Sequence, residues 1–264
     1  MKSKFNVFLL TDLEGIAGIE SIDEMDPAGV RFSHSVEQLS KSINLAVTAC
    51  FDAGAERVCY LDGHAGGGNV NESLIDPRAV KCTLSEWQEH LKSGEIDCMI
   101  ELGAHARAGT VGGFLDHTLS SKSIFSIKIN GREMSEFSLH AILCAKYGVP
   151  TVAVIGDRVA CEQAREYVPN LYTGAVKHAH CRNAAVTEPD ADQILYSTVV
   201  QALANRDSVS LIPFVEPICV EETFYRTDMC EEVLERCADC TERVDARTLR
   251  KTVAAISSYA DLKI

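Results

Sequence analysis

The chain has 264 residues, 46% of them hydrophobic, and a formal net charge of −13. This composition is sufficient for one large α/β domain, or for one domain with a smaller appendage. The acidic balance disfavours nucleic acid and anionic membranes as partners, because like charges repel, and no apolar run is long enough to predict a transmembrane helix.

The N-terminus and the cysteines both favour a cytoplasmic protein. In MKSKFNVFLLTDLEG a short basic start leads to a brief apolar stretch that meets acidic residues at once, which is unlike a signal peptide. The eleven cysteines are scattered, mostly within apolar runs, which is typical of free thiols in a reducing compartment. The one close pair, Cys237 and Cys240, has no second CxxC beside it, so we expect surface cysteines there and not a redox or zinc motif.

Four apolar runs that end in polar residues predict strands: FNVFLLTD, RVCYLDGH, CMIELGAH and TVAVIGD. After the first run, RFSHSVEQLSKSINLAVTACFDAG carries apolar residues at helical spacing and predicts a helix that ends at Gly54. Strands that alternate with helices predict a three-layer α/β/α sandwich. The continuous apolar character of the runs favours a largely parallel or mixed central sheet that is buried on both faces.

A hairpin and a helix are predicted between the third and fourth strands. In SIKINGREM the pair Asn130-Gly131 is a strong turn signal. The segment SEFSLHAILCAKYG predicts a helix from near Ser135 to Gly148. Glu136 would therefore lie in the first turn of this helix.

The pattern changes after residue 188. PDADQILYSTVVQALANR, TDMCEEVLERCADC and DARTLRKTVAAISSYADL predict helices, and LIPFVEPICVEETF predicts a strand that Pro217 would confine to a sheet edge. This last part contains no histidine. We expect residues 189–264 to form a smaller C-terminal α+β portion that completes the fold or an oligomer contact.

Residues with metal-binding side chains lie where the predicted strands end, and ligands gather beyond the carboxyl ends of strands in open α/β sheets. Two histidines and three carboxylates form a mixed set that suits zinc, or another borderline metal such as manganese or cobalt. Five ligands exceed one tetrahedral zinc and suit two metals that share a bridging carboxylate. We therefore expect residues 1–188 to be a catalytic metal-binding α/β domain. The candidate residues at these positions are Asp12, Glu14, Asp62, His64, His105, Glu136 and His117.

Each candidate alone also fits an ordinary structural role. Asp12 and Glu14 could cap a helix or pair with arginines, and a single loop histidine is often satisfied by hydrogen bonds. His178 and His180, in KHAHC, favour a solvated turn over a ligand pair. The motifs GxSxG, GxxxxGK[ST], GxGxxG and HExxH are absent from the sequence, which argues against several rival chemistries.

Five separated motifs, DLEGIAG, DGH, ELGAHARAGT, DHT and INGREMSEFSLHA, closely resemble the zinc D-aminopeptidase (DppA) family in order and spacing, over roughly residues 5–180. Carried over by position, the resemblance implies two zinc ions per chain, with Asp12 as the bridging ligand. Glu14 and His64 would complete the site of one ion. His105 and Glu136 would complete that of the other.

The resemblance also implies an activity and an assembly. It predicts a metallo-aminopeptidase that hydrolyses short peptides from a free N-terminus, D-amino-acid-containing ones in particular, through a water activated by two zinc ions. His117 would be the catalytic histidine, as acid/base, oxyanion stabiliser or nucleophile. Asp62 either orients a ligand or forms a turn before Gly63. The family precedent is a homo-oligomeric ring of ten subunits around a channel.

Three other functions are compatible with parts of this pattern. A dinuclear metal amidase or deacylase, acting on a small non-peptide amide, would use the same ligands. A non-catalytic oligomer that binds peptides or metal would keep the ligands without turnover. A magnesium phosphatase is disfavoured, because magnesium prefers oxygen ligands to histidine.

Overall fold

The computed structural model describes residues 4–264, which form two sheets, six α-helices and several short 3-10 helices. The strands are β1 (Asn6–Thr11), β2 (Arg57–Asp62), β3 (Val80–Lys81), β4 (Cys98–Ala104), β5 (Ile124–Ile129), β6 (Arg132–Glu133), β7 (Thr151–Asp157), β8 (Tyr172–Cys181), β9 (Ala184–Thr187), β10 (Ile218–Phe224), β11 (Glu242–Arg243) and β12 (Thr248–Val253). The helices are α1 (Phe32–Asp52), α2 (Leu84–Ser93), α3 (Glu136–Lys146), α4 (Arg158–Tyr167), α5 (Ala191–Ala204) and α6 (Thr227–Cys237).

The first sheet has seven strands in the order β3-β2-β1-β4-β7-β8-β9. All neighbours are parallel except β8 and β9, so the sheet is mixed and largely parallel, as predicted. Every residue of β4 and β7 is buried, which explains their continuous apolar runs. Helices α1 and α5 pack together, while α3 contacts both β4 and α4. The predicted α/β class is confirmed.

The strand order reverses beside β1, and this reversal positions the candidate site. From β1 the chain builds β2 and β3 on one side and then crosses to β4 on the other. A crevice forms beyond the carboxyl ends of strands at such a switch point, because the two connections leave in opposite directions. The ends of β1, β2 and β4 therefore meet at one edge of the sheet.

The second sheet is antiparallel, in the order β11-β12-β10-β5-β6. The predicted hairpin is confirmed: β5 turns into β6 at Asn130 and Gly131, whose φ angles of 51° and 80° are left-handed. This sheet pairs β5 and β6 with strands from residues 189–264. The division of the chain after residue 188 stays a prediction.

Three local predictions are wrong. Strand β10 is paired on both sides, by β5 and β12, so it is not an edge strand; Pro217 precedes the strand and removes no bond of the ladder. The segment from Asp245 onward forms β12 and a 3-10 helix at Tyr259–Leu262 in place of a long helix, because β10 supplies a pairing partner. KHAHC continues β8 between β7 and β9 and is not a turn.

The predicted helices α1, α3, α5 and α6 are confirmed. All eleven cysteines are free, and most are buried, as the sequence predicted. Across residues 4–264, none of the helices combines the length and the apolar character that a membrane span requires.

Candidate metal centre

Close backbone contact between β1 and β4 sets the spacing of the site. The amide of Asp12 donates to Leu102 O at 2.8 Å, and the amide of Gly15 donates to Gly103 O at 2.8 Å. Gly103 has φ +85°, and a Cβ on it would lie 2.0 Å from Asp12 O. Only glycine fits such an approach. The residues that follow β1 are thereby fixed against the end of β4, directly beside His105.

Asp12, Glu14 and His64 form the first of two ligand groups. Asp12 follows β1 directly, and His64 lies two residues beyond β2. His64 Nδ1 is 2.9 Å from Glu14 Oε2 and 3.2 Å from Asp12 Oδ1. Both carboxylates thus face one imidazole, as the predicted first zinc site requires.

His105, Glu136 and His117 form the second group. His105 follows β4 directly, and its Nε2 is 3.2 Å from Asp12 Oδ2 and 3.4 Å from Glu136 Oε1. Asp12 therefore directs one carboxylate oxygen towards each histidine, His64 and His105. This is the arrangement that a bridging carboxylate requires.

Glu136 is positioned by the start of α3. The hydroxyl of Ser135 caps the helix by accepting from the amide of Ser138. Glu136 lies in the first turn, and its Oε1 accepts from the amide of Leu119 at 2.7 Å. This hydrogen bond joins the helix start to the loop that carries His117.

His117 belongs to the second group and also approaches the first. Its Nε2 is 3.7 Å from Glu136 Oε1 and 3.9 Å from Glu14 Oε1. Its ring stacks on that of His105, with centroids 4.0 Å apart and planes within 2°. Leu115 and Leu119 have φ angles of 48° and 64°, unusual values for residues with a side chain, so the loop is strained on both sides of this histidine.

The histidines and carboxylates perturb each other strongly because they are buried together. Burial alone would raise the pKa of Asp12, but contacts with His105 and His64 outweigh it and hold that pKa well below its usual value. Burial would lower the pKa of His64, whereas Asp12 and Glu14 raise it to about 10. Burial would raise the pKa of Glu136, and the charge of His105 lowers it to about 2. The carboxylates are thus held ionised beside histidine nitrogens, and a metal ion could take the place of the histidine protons.

His105 Nε2 is the atom that best fits a bound cation. It is buried and has no hydrogen-bond partner within residues 4–264. The carboxylates of Asp12 and Glu136 approach it without the alignment of a hydrogen bond. The other ring nitrogen, Nδ1, lies 3.0 Å from the carbonyl oxygen of Ala106. An imidazole held by a carbonyl on one nitrogen, with its second nitrogen buried among carboxylates, suits a zinc ligand.

Comparison with known proteins assigns the family. A family model described as D-aminopeptidase matches residues 5–262. The chain belongs to the D-aminopeptidase family of peptidases. A D-aminopeptidase of Bacillus subtilis (strain 168) is 28% identical over 221 residues, which cover 80% of this chain and 79% of that protein. The predicted family and the prediction of a peptide hydrolase are confirmed.

A solved member of the D-aminopeptidase family has the same fold. It is the zinc-dependent D-aminopeptidase DppA of Bacillus subtilis, described as a self-compartmentalizing protease. The TM-score is 0.88 at 22% sequence identity, over 96% of this chain and 93% of that one. The predicted fold class is thus shared by a known family member.

Asp62 acts on the loop that carries His64 and not on its ring. Its Oδ2 accepts from the amide of Asn69 at 2.7 Å, and its Oδ1 accepts from Asn69 Nδ2 at 3.2 Å. Asn69 Nδ2 also donates to the carbonyl oxygen of His64 at 2.7 Å. Sequence reasoning missed Asn69, because an asparagine after a glycine run carries no distinct motif.

Lys177 is the second residue that sequence reasoning missed. It is fully buried in β8, and its Nζ donates to the carbonyl oxygens of Glu14, at 2.7 Å, and of Ile19. The ammonium lies over the ring of Phe114, 4.6 Å from the centroid. Burial lowers the pKa of Lys177 to about 7. A lysine inside the apolar run GAVKHA was the available signal, since a buried lysine needs polar partners.

A cavity of about 650 Å³ adjoins the site and is lined by Asp12, the Gly66–Gly68 run, Leu119, Glu136 and Tyr259. A volume of this size is typical of pockets for small ligands. The glycine run that follows His64 therefore forms part of the cavity wall.

Proposed function

We propose that this chain is a two-zinc aminopeptidase that hydrolyses short peptides from a free N-terminus, D-amino-acid-containing ones in particular. The observation that carries the proposal is the position of Asp12 between two histidines that belong to separate ligand groups. Its Oδ1 lies 3.2 Å from His64, and its Oδ2 lies 3.2 Å from His105. Membership of the D-aminopeptidase family supports the substrate class.

The residues divide into two sets of ligands. Asp12 would be shared, Glu14 and His64 would complete one set, and His105 and Glu136 the other, consistent with their contacts. Zinc held by these residues would supply a water that is acidic near neutral pH and positive charge for the substrate carbonyl oxygen. The two-zinc proposal is supported by the number of ligands, which exceeds the four of a single tetrahedral ion.

His117 would carry the proton. Its Nδ1 is 2.8 Å from the carbonyl oxygen of Leu115, and a carbonyl can only accept, so Nδ1 holds the hydrogen. Nε2 is then free to accept a proton from water and to donate it to the leaving amine. Its position between Glu14 and Glu136, close to both groups, supports this role.

The cavity and the relatives support the rest of the proposal. A cavity of about 650 Å³ suits a short peptide better than a folded protein. The solved relative is described as self-compartmentalizing, which supports a homo-oligomer here, and we propose a ring of ten subunits. Eleven free cysteines support the cytoplasm as its location.

Metal content and substrate selectivity test this function together. Protein purified without added metal should contain at least two zinc ions per chain by mass spectrometry. Dipeptides that begin with D-alanine should be cleaved faster than those that begin with L-alanine. Their N-acetylated forms should resist, because the free amine is part of recognition.

Two results would contradict the proposal. Equal cleavage of N-acetylated substrates would indicate a general amidase. Full zinc loading with no cleavage of any dipeptide would indicate a binding protein.

A further inference from the structure

A second set of metal-binding side chains lies in β2, directly after β3 and in α2, and it shares none of the proposed ligands of the candidate centre. Cys59 is in β2, Cys82 follows β3, and His90 is in α2. One potential ligand atom from each lies within 4.8 Å of the others. Parallel pairing holds the two cysteines in place: Cys59 is opposite Val80, and the amide of Cys82 donates to Tyr60 O at 2.8 Å.

The separation of these atoms suits zinc. With Zn–S bonds near 2.3 Å and Zn–N bonds near 2.0 Å, ligand atoms of a tetrahedral site lie roughly 3.5–4 Å apart. The three side chains already satisfy this requirement to within about an ångström.

The two thiols already interact. Cys59 and Cys82 are 4% and 5% exposed. The neighbouring Cys82 side chain lowers the pKa of Cys59 to about 7, although burial acts in the opposite direction. Two buried cysteine sulfurs close to each other are a soft ligand pair that favours zinc over magnesium or calcium.

The imidazole of His90 is oriented by a carboxylate. Its Nδ1 is 2.8 Å from Glu95 Oε2, and the same carboxylate oxygen is 3.1 Å from an Arg57 amino group. Metal-bound histidines commonly donate their second N–H to a carboxylate in this way, because it fixes the ring and increases its basicity. With Nδ1 held by Glu95, Nε2 of His90 is the nitrogen left to bind an ion.

We propose that Cys59, Cys82 and His90 bind a zinc ion at a site separate from the candidate catalytic centre. A surface cleft of about 390 Å³ adjoins Cys82 and His90, so the fourth position would be open to water. The ion would join β2, which leads to the His64 loop, to α2. Binding would release the thiol protons to solvent.

Cobalt distinguishes this site from the catalytic one, because only thiolate ligands give a sulfur-to-cobalt charge-transfer band in the near ultraviolet. The full chain, reduced and stripped of metal, is titrated with Co²⁺. We expect one such band that saturates at one equivalent of sulfur-bound ion. The double variant Cys59→Ser, Cys82→Ser should lose the band and, loaded with zinc, should hold one ion fewer than the unmodified chain.

Two control variants make the titration specific. Cys181→Ser changes an exposed cysteine outside the group and should keep the band. Glu136→Gln changes the candidate catalytic centre and should also keep it, so this result does not depend on the proposed peptidase activity.

His90→Gln keeps the test decisive if the double variant does not fold. This histidine is partly exposed, and its loss should weaken Co²⁺ binding by more than about tenfold. Absence of the band in the reduced chain would overturn the proposal, and so would a band that persists in the double variant. Recovery of the protein from cells with Cys59 and Cys82 joined as a disulfide would overturn it as well.

Discussion

Replacing His117 with alanine should separate proton transfer from metal binding. Its Nε2 lies 3.7 Å from Glu136 and 3.9 Å from Glu14, whereas the proposed ligands contact one another at 2.9–3.4 Å. A positioned general acid or base contributes about 10²–10⁴-fold to rate. We therefore expect kcat to fall by about 10²–10⁴-fold, which corresponds to about 3–5 kcal/mol of activation free energy. KM should change little, because the proton moves only in the transition state.

The variant should remain folded. It loses one hydrogen bond, to Leu115 O, and the stacking contact with His105. A single hydrogen bond contributes about 1 kcal/mol net, which shifts the unfolding temperature by a few degrees. Steady-state kinetics on a D-alanyl dipeptide, zinc content per chain and thermal unfolding are measured on the same preparation. His180→Ala, at an exposed histidine on β8, is the matched control and should keep full activity.

Zinc content decides between two roles for His117. Its potential ligand atom lies within 4.8 Å of those of His105 and Glu136, so a ligand role is geometrically open. Loss of one zinc ion from His117→Ala would refute the proton-carrier assignment and make this residue a ligand. An unchanged kcat with both ions retained would refute any direct part in the reaction.

Three further substitutions test the surroundings of the site. Glu136→Ala should lose one of the two zinc ions of the candidate catalytic centre and nearly all activity while remaining folded, and full activity would exclude Glu136 as a ligand. Lys177→Met leaves the carbonyl oxygens of Glu14 and Ile19 without their buried donor, at a cost of roughly 1–3 kcal/mol each in folding stability. The temperature of thermal unfolding should therefore fall, and an unchanged midpoint would contradict this role for Lys177. Burial raises the pKa of Glu222 to about 7, so the folded state keeps a proton that the unfolded state loses above pH 4.5, and stability falls as the pH rises towards 7. Glu222→Gln should remove this fall in stability, which amounts to up to about 3 kcal/mol by pH 8 at roughly 1.4 kcal/mol per unit of pKa shift. Urea unfolding of the variant and of the unmodified chain at pH 5 and pH 8 measures the fall. An equal pH dependence in the two proteins would contradict the reasoning.

The candidate ligands could be predicted because each one is marked by a local pattern. Asp12 and His105 directly follow apolar runs, and Glu136 follows a serine that caps a helix. Parallel strands bring their carboxyl ends to one edge, so local patterns are sufficient to predict proximity. Distances and the partition into two groups required the structure.

The residues that support the ligands could not be predicted, because their partners are remote in sequence. Lys177 bonds to a carbonyl 163 residues away, and Val220 of β10 pairs with Ile129 of β5. The wrong prediction of a helix after Asp245 has the same cause: β12 exists because β10 offers it a partner, and no local pattern signals that partner.

Two glycines beside the proposed ligands allow the backbones of β1 and β4 to approach each other closely. Gly15 follows Glu14, and Gly103 lies two residues before His105, so each is within two residues of a proposed ligand in the chain. A Cβ at Gly15 would lie 2.2 Å from Ala104 O, and one at Gly103 would lie 2.0 Å from Asp12 O. Side chains at these positions would force β1 and β4 apart at the point where Asp12 meets His105. Because a shared ligand tolerates little change in the separation of its two metals, the absence of these two side chains is as much a requirement of the proposed centre as the presence of its carboxylates.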